Sequence, residues 1–293
     1  MEKRIKRIAA MHDMSGFGRC ALTVIIPTLS AMGHQVIPLP TALLSTHTGG
    51  FKSPYFLDLT DTMDPMIEHW ERLGITFDAL YSGFLGNAAQ ADTMRRLIAK
   101  FGGKHNITLI DPVMGDDGVL YSTYDSSLVA AVRSLCSVAD IITPNITEAF
   151  FLLEREYIDT LSLPRREAEE LIYDILHSLS RMGVKKIALT GVHLASDGEE
   201  AGVVTAGLDL SVSDKPFFCT QPRINKNYPG TGDIFASVLL GCLLGGKDFR
   251  SACEYASLYV HYIIEESVGY DTPEREGVAL EPALSKLIED RIK

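Results

Sequence analysis

A chain of 293 residues, 46% hydrophobic and 22% charged, has ordinary globular composition and enough length to bury about three quarters of its unfolded surface. The formal net charge of −11 excludes a general nucleic-acid binder, which needs a basic footprint, and fits simple solubility. Five scattered cysteines (Cys20, Cys136, Cys219, Cys242 and Cys253), with no Cys-x-x-Cys pair, fit a reducing compartment and no zinc site.

The amino end, Met1-Glu2-Lys3-Arg4-Ile5-Lys6-Arg7, is basic, but the apolar stretch before His12 is too short for a secretion signal. No stretch reaches the ~20 apolar residues of a membrane span. A cytoplasmic protein without membrane contact is expected.

Residues 8–11 read as a buried strand, and residues 21–32 as a helix stopped by Gly33. Residues 35–39 predict a second strand. Residues 61–73 have helical spacing, with Met63, Ile67, Trp70 and Leu73 near one stripe. A short strand at 79–81 precedes a helix at 88–101, whose late Arg95, Arg96 and Lys100 suit the helix dipole. The rhythm continues with an apolar run at 108–110, a helix at 127–136, a run at 141–143 ending at Pro144, helices at 147–154 and 165–182, and a strand at 186–190. Such alternation implies a parallel sheet covered on both faces, with right-handed crossovers. Between Asp197-Gly198 and Ser213 the runs become short and turn-bounded, which predicts an antiparallel hairpin at one edge. Helices follow at 232–244, 249–266 and 281–292. With no repeat, low-complexity tract or linker, the expected architecture is one domain over 1–293, a three-layer α/β/α fold with a mostly parallel central sheet and an antiparallel edge.

Four polar clusters, with one further polar loop beside them, carry the chemistry. In Pro229-Gly230-Thr231-Gly232-Asp233, two glycines and a small hydroxyl residue precede a carboxylate and then a strongly apolar helix. Glycines let the backbone approach a ligand, and free amides at the helix start favour an anion. Asp233 beside them could accept a proton from an attacking alcohol. The plainer reading is an N-cap by Thr231 or Asp233, and the Gly-Lys-Ser/Thr of a Walker loop is absent. In Thr143-Pro144-Asn145-Ile146-Thr147-Glu148, Asn145 and Glu148 share one side of a first helical turn, where they could hold hydrated magnesium or simply cap the helix.

In Asp111-Pro112-Val113-Met114-Gly115-Asp116-Asp117-Gly118, Asp111 or Asp116 could place a cation or a phosphate at a strand's carboxyl end, and Asp117-Gly118 reads as a turn. In His12-Asp13-Met14-Ser15-Gly16-Phe17-Gly18, Asp13 or Ser15 could bind polar groups of a substrate, while His12 reads as a satisfied structural histidine. Ser45-Thr46-His47-Thr48-Gly49-Gly50 is a plain loop or a flap over a ligand. Each cluster is ambiguous alone. All four follow apolar strands, so they should emerge at one edge of one sheet.

In this order, these residues resemble the pyridoxal kinase branch of the ribokinase-like superfamily, from about residue 8 to about residue 244. Gly230-Thr231-Gly232-Asp233 is similar to the superfamily's anion hole and catalytic Asp, and Asn145-x-x-Glu148 to its magnesium-associated motif. Asp111 to Asp116 with Tyr121, and Thr143-Pro144-Asn145, resemble the pyridoxal and hydroxymethylpyrimidine kinases. Ser45-x-His47-Thr48-Gly49 and Ser82-Gly83-Phe84-Leu85-Gly86 resemble the pyridoxal side of that pair.

The resemblance implies a ribokinase-like fold and ATP-dependent phosphorylation of the 5'-hydroxymethyl group of pyridoxal, pyridoxine or pyridoxamine. Asp233 would be the base, and the amides of Gly230, Thr231 and Gly232 the anion hole. Asp111, Asn145 and Glu148 would organise Mg2+ and the ATP phosphates, with Asp111 and Glu148 as metal ligands. Asp116, Tyr121, Thr190 and Gly232 complete the ATP side. Asp13 or Ser15, with Thr48, would hold polar groups of the ring, and Phe84 would stack on it. The chain departs from the branch at three places: the branch often has serine at Asp13 and tyrosine at Phe84, and Asn227-Tyr228 before the anion hole is bulkier and more polar than usual. A monovalent cation such as K+ and a homodimer are further implications. Hydroxymethylpyrimidine kinase is the close alternative, a sugar kinase lacks its lid segment here, and a non-catalytic vitamer-binding protein is the distant alternative.

Overall fold

The computed structural model describes residues 4–194 and 202–292; the expected hairpin's Asp197-Gly198 lies outside them. The strands are β1 (Arg7–Phe17), β2 (Gln35–Thr46), β3 (Phe56–Asp58), β4 (Ala79–Ser82), β5 (Ile107–Ile110), β6 (Gly115–Asp116), β7 (Val119–Leu120), β8 (Ile141–Ile142), β9 (Lys186–Leu194), β10 (Gly202–Asp209) and β11 (Phe217–Pro222). The helices are α1 (Leu22–Ala31), α2 (Thr60–Arg72), α3 (Ala88–Phe101), α4 (Ser126–Cys136), α5 (Ile146–Leu152), α6 (Arg165–Ser180), α7 (Thr231–Leu244), α8 (Phe249–Val268) and α9 (Leu280–Ile292). Nine strands form one sheet in the order β11-β10-β9-β8-β5-β4-β1-β2-β3. The six from β9 to β2 pair in parallel, while β10 pairs antiparallel with both β9 and β11 at one edge and β3 pairs antiparallel with β2 at the other.

Alternation along the strands explains why their short runs are apolar throughout. Ala9, Met11, Leu80, Ile110, Ile142, Ile187 and Leu189 join one buried cluster with residues of α2 to α6. Their neighbours Ile8, Ala10, Ala79, Tyr81, Leu109, Ile141 and Ala188 join a second with α1, α7, α8 and α9. Both faces are therefore covered, and the three-layer expectation holds.

Two strands run further than their hydrophobicity suggested. β1 continues through His12-Asp13-Met14-Ser15-Gly16-Phe17, and β2 through Pro38 and Pro40 to Thr46. The two stay paired to Phe17–Thr46, with a register break between His12 and Met14, so cross-strand hydrogen bonding replaces the apolar signal. The prolines are tolerated because β2 gains its other neighbour, β3, only at Ala42. β3, β6 and β7 are too short to show a period.

Phe150 is 2% exposed in the first cluster and anchors α5, the seven-residue helix that starts at the Asn145-Glu148 motif. Phe150→Ala should lower unfolding free energy by about 3–5 kcal/mol. Urea unfolding followed by circular dichroism would measure it; a loss under 1 kcal/mol would show that α5 is held by its cap rather than by its core contact.

Candidate active site

The motifs do converge, and the start of α7 is their centre. Gly230 takes a left-handed φ of 84° as the residue before α7, and Ile234 N–H makes the first intrahelical bond back to its carbonyl at 3.0 Å. The amides of Thr231, Gly232 and Asp233 precede that bond and form the positive end of the helix. A side chain at Gly230 is impossible without movement: its Cβ would lie 2.3 Å from the carbonyl oxygen of Arg19. Around Gly232, by contrast, a Cβ would meet nothing within 4 Å. Thr231 is tied by its hydroxyl, which donates to the Tyr228 carbonyl at 3.1 Å.

Asp233 accepts a hydrogen bond from the Ala21 amide at 2.8 Å. Burial pushes its carboxyl up to about 6, and the Ala21 amide only partly offsets this. Asp13, 6% exposed, accepts from the Ser15 hydroxyl at 3.0 Å. Burial, and then the charge of Asp233, pushes Asp13 up to about 7. Ser15 is thus committed to Asp13, and the two alternatives of the sequence form one unit.

Asp111 stands at the end of β5, buried, with the Thr143 hydroxyl donating to it at 2.9 Å. Glu148 is buried too, its two oxygens accepting from the amides of Met114 at 3.1 Å and Asn145 at 2.8 Å. Both acids are raised, first by burial; Asp233 adds to the effect on Asp111, and Asp111 to that on Glu148. Asn145 and Glu148 form a capping box, so the capping and site readings of this motif coincide in the same atoms. The Asn145 side chain is used at both ends, donating to the Gly115 carbonyl at 2.8 Å and accepting from the Glu148 amide at 2.8 Å. Thr190 sits beside it through a parallel bridge between the two residues.

Tyr121 is raised by burial and then by Glu148, Asp116, Asp233 and Asp111, which places it among four carboxylates. Asp116 itself is exposed. Thr48 is half-buried on the loop after β2; the neighbouring Gly49 would bring a Cβ within 3.8 Å of Pro229, so this loop borders the start of α7. Phe84 is half-buried, edge-on to Tyr124 with ring centroids 6.1 Å apart. Among the described residues, no group of three or more His, Cys, Asp or Glu side chains could hold a metal ion unaided.

Two neighbours of these acids escaped sequence reasoning, and a third residue was misjudged. The Ala21 amide has no residue-type signature, since any residue but proline offers one. Cys20 lies close enough to feel Asp13 and Asp233, its thiol pushed up mainly by burial. His12 is fully buried, stacked edge-on against Tyr81 at 4.3 Å, and neutral, burial bringing it down to about 3. Contrary to the sequence reading, neither of its ring nitrogens has a hydrogen-bond partner among the described residues.

A mixed, mostly parallel sheet with a buried carboxylate at a helix start, near further acids that follow β5 and β8, fits a small-molecule kinase that transfers phosphate to an alcohol group. Comparisons agree. The phosphomethylpyrimidine kinase family model matches residues 24–275. A Bacteroides thetaiotaomicron structure described as a phosphomethylpyrimidine kinase, in a crystal form with pyridoxal, is 38% identical, with a TM-score of 0.88 and coverage of 97% of this chain and 96% of that one. The pyridoxal kinase of Lactobacillus plantarum is 30% identical with a TM-score of 0.86 over 98% of both chains. The hydroxymethylpyrimidine/phosphomethylpyrimidine kinase of Bacillus subtilis is 27% identical over 264 residues, 89% of this chain and 83% of that protein. The chain belongs to the phosphomethylpyrimidine kinase family, within its group of pyridoxal kinases, and has their ribokinase-like fold. No helix among the described residues is long and apolar enough to cross a membrane.

Proposed function

We propose that this kinase transfers the γ-phosphoryl group of ATP to the 5'-hydroxymethyl group of a B6 vitamer: pyridoxal, pyridoxine or pyridoxamine. One observation carries the reading. Asp233, raised to about 6, stands in the first turn of α7, where the amides of Gly230, Thr231 and Gly232 favour an anion. Asp233 takes the hydroxymethyl proton, the freed oxygen attacks the γ-phosphorus, and the bond to the bridging oxygen of ADP breaks. The helix-start amides hold the charge on the transferring group.

Asp111 and Glu148 would hold Mg2+, which supplies charge neutralisation at the phosphates. Two buried acids, one raised by the other's charge, suit a cation that takes a few carboxylate oxygens and keeps its waters. Asn145 orients Glu148, and Asp116, Tyr121 and Thr190 border the phosphates. Asp13 with Ser15, Thr48 and Phe84 would hold the ring. The pyridoxal-bearing relative supports this acceptor class. K+ remains an implication of family likeness. So does a homodimer, for which an apolar row is available: Met14, Leu43 and Leu57 are exposed and adjacent across β1, β2 and β3. A cytoplasmic location and a single domain belong to the same reading.

A second reading, phosphorylation of a hydroxymethylpyrimidine, is favoured by the family model and the Bacillus subtilis relative. An ATP-consumption assay with magnesium on the three vitamers, hydroxymethylpyrimidine and ribose separates them. Turnover confined to the vitamers is expected. Turnover on the pyrimidine alone would move the acceptor and keep the mechanism, and silence on all five would leave a vitamer-binding protein.

A further inference from the structure

Three walls of the site come from distant parts of the chain: the loop after β2, the loop between β1 and α1, and the loop leading to Gly230. All three are fastened to one short 3-10 turn, Glu274–Glu276, between α8 and α9. At its first residue, the Glu274 carboxylate accepts from Lys226 Nζ at 2.7 Å and from the Asn227 amide at 3.1 Å, three residues before Gly230.

At its second residue, the Arg275 carbonyl accepts from His47 Nε2 at 2.7 Å. The Gly49 amide donates to His47 Nδ1 at 3.1 Å, which fixes the proton on Nε2 and makes His47 the donor to Arg275. The Arg275 guanidinium lies 5.4 Å over the Phe51 ring, and His47 meets the same ring edge-on at 4.9 Å. At its third residue, the Glu276 carbonyl accepts from the Arg19 amide at 2.9 Å. Gly277, at a φ of 86°, lets the turn lie against Arg19, where a Cβ would sit 2.8 Å from the Arg19 oxygen. Two residues past Arg19, the Ala21 amide holds Asp233.

We infer that Glu274 is a positioning residue, and that the turn Glu274–Glu276 is a clasp that sets the acceptor-side loop 47–51 and the anion-hole approach 226–230 in register with the catalytic carboxylate. No part of the turn needs to touch a substrate. Its effect comes from holding two loops against one rigid point, so loosening one end should loosen the other. The clasp's purpose rests on the phosphoryl-transfer reading, but its existence does not.

The test is hydrogen–deuterium exchange of full-length protein without substrate, comparing the unmodified chain with Glu274→Ala. Amides at 226–231 and, remotely, at 47–51 should both exchange faster, on the order of tenfold, while those of β4 and β5 keep their rates. His47→Phe, which cuts the clasp from the far side, should loosen 226–231 in turn. In both variants kcat on the best acceptor should fall severalfold and KM for that acceptor should rise, with KM for ATP nearly unchanged, whereas a mere loss of folded enzyme would lower kcat alone. Faster exchange at 226–231 with 47–51 unmoved, or no change in either, overturns the clasp. If Glu274→Ala loses protection in β4 and β5, Lys226→Met, which removes only the half-exposed partner, gives the same reading. Exchange needs no acceptor, so failure here leaves the acceptor assay standing, and failure there leaves the clasp standing.

Discussion

Asp233→Asn should reduce kcat by on the order of 10²–10⁴-fold and leave ligand affinity within severalfold of the original. The amide is nearly isosteric and can still accept the Ala21 hydrogen bond, seen at 2.8 Å in the unmodified protein, so the helix start keeps its shape. What disappears is the ability to take a proton, worth about 3–5 kcal/mol of barrier at that factor. The pH profile carries the same signature. Burial raises Asp233 to about 6, so the proposed base is ionised above that pH and protonated below it. kcat/KM should therefore be flat at neutral pH and fall about tenfold for each unit of acidification below 6. Asp13 sits higher, at about 7, because burial and the Asp233 charge both favour its protonated form. As pH rises, Asp233 ionises first, and Asp13 is the neighbour that stays protonated, which keeps the base free for the alcohol. Unchanged turnover in Asp233→Asn, or an acid limb that survives it, would remove Asp233 from the role.

The layered fold was legible because buried parallel strands must be apolar on both faces, and residues 108–110, 141–143 and 186–190 show that plainly. The extension of β1 was not. His12-Asp13-Met14-Ser15-Gly16-Phe17 has neither an apolar run nor a clean alternation, and its pairing with β2 is written only in backbone hydrogen bonds. The helix-start carboxylate was readable because glycine, threonine and aspartate before an apolar helix is a distinctive choice of residue types. Asn145 and Glu148 were readable as a pair but not as one function, since the capping box and a buried acid beside Asp111 use the same side chains. Contacts made by the main chain, or across great separation, left no local trace. His47 reaches a carbonyl 228 residues away, and nothing near either residue announces it.

Gly230→Ala should be the most damaging single-methyl change at this site, lowering kcat by at least on the order of 10²-fold, the scale of losing one anion-hole donor. Two costs combine. The left-handed φ of 84° disfavours any L side chain, by about 1–2 kcal/mol. The added methyl would also sit 2.3 Å from the Arg19 oxygen and 3.1 Å from the Cys20 Cα, both main-chain atoms. That main chain cannot simply yield, because the Arg19 amide is bonded to the Glu276 carbonyl and the Ala21 amide to Asp233. Relief must come from moving the helix start away from the β1–α1 loop, which separates the proposed anion-binding amides and base from their supports. Gly232→Ala is the control. It adds the same methyl two residues on, where nothing stands within 4 Å and the residue is already helical. Its melting temperature should hold or rise, as for glycine-to-alanine changes at compatible positions. Its activity should still fall, because the methyl occupies space the phosphoryl group needs. Loss of both stability and turnover in Gly230→Ala, against loss of turnover alone in Gly232→Ala, would separate the glycine that shapes the anion hole from the glycine that leaves room for its occupant. Equal turnover in both variants and the unmodified chain would place phosphoryl transfer elsewhere.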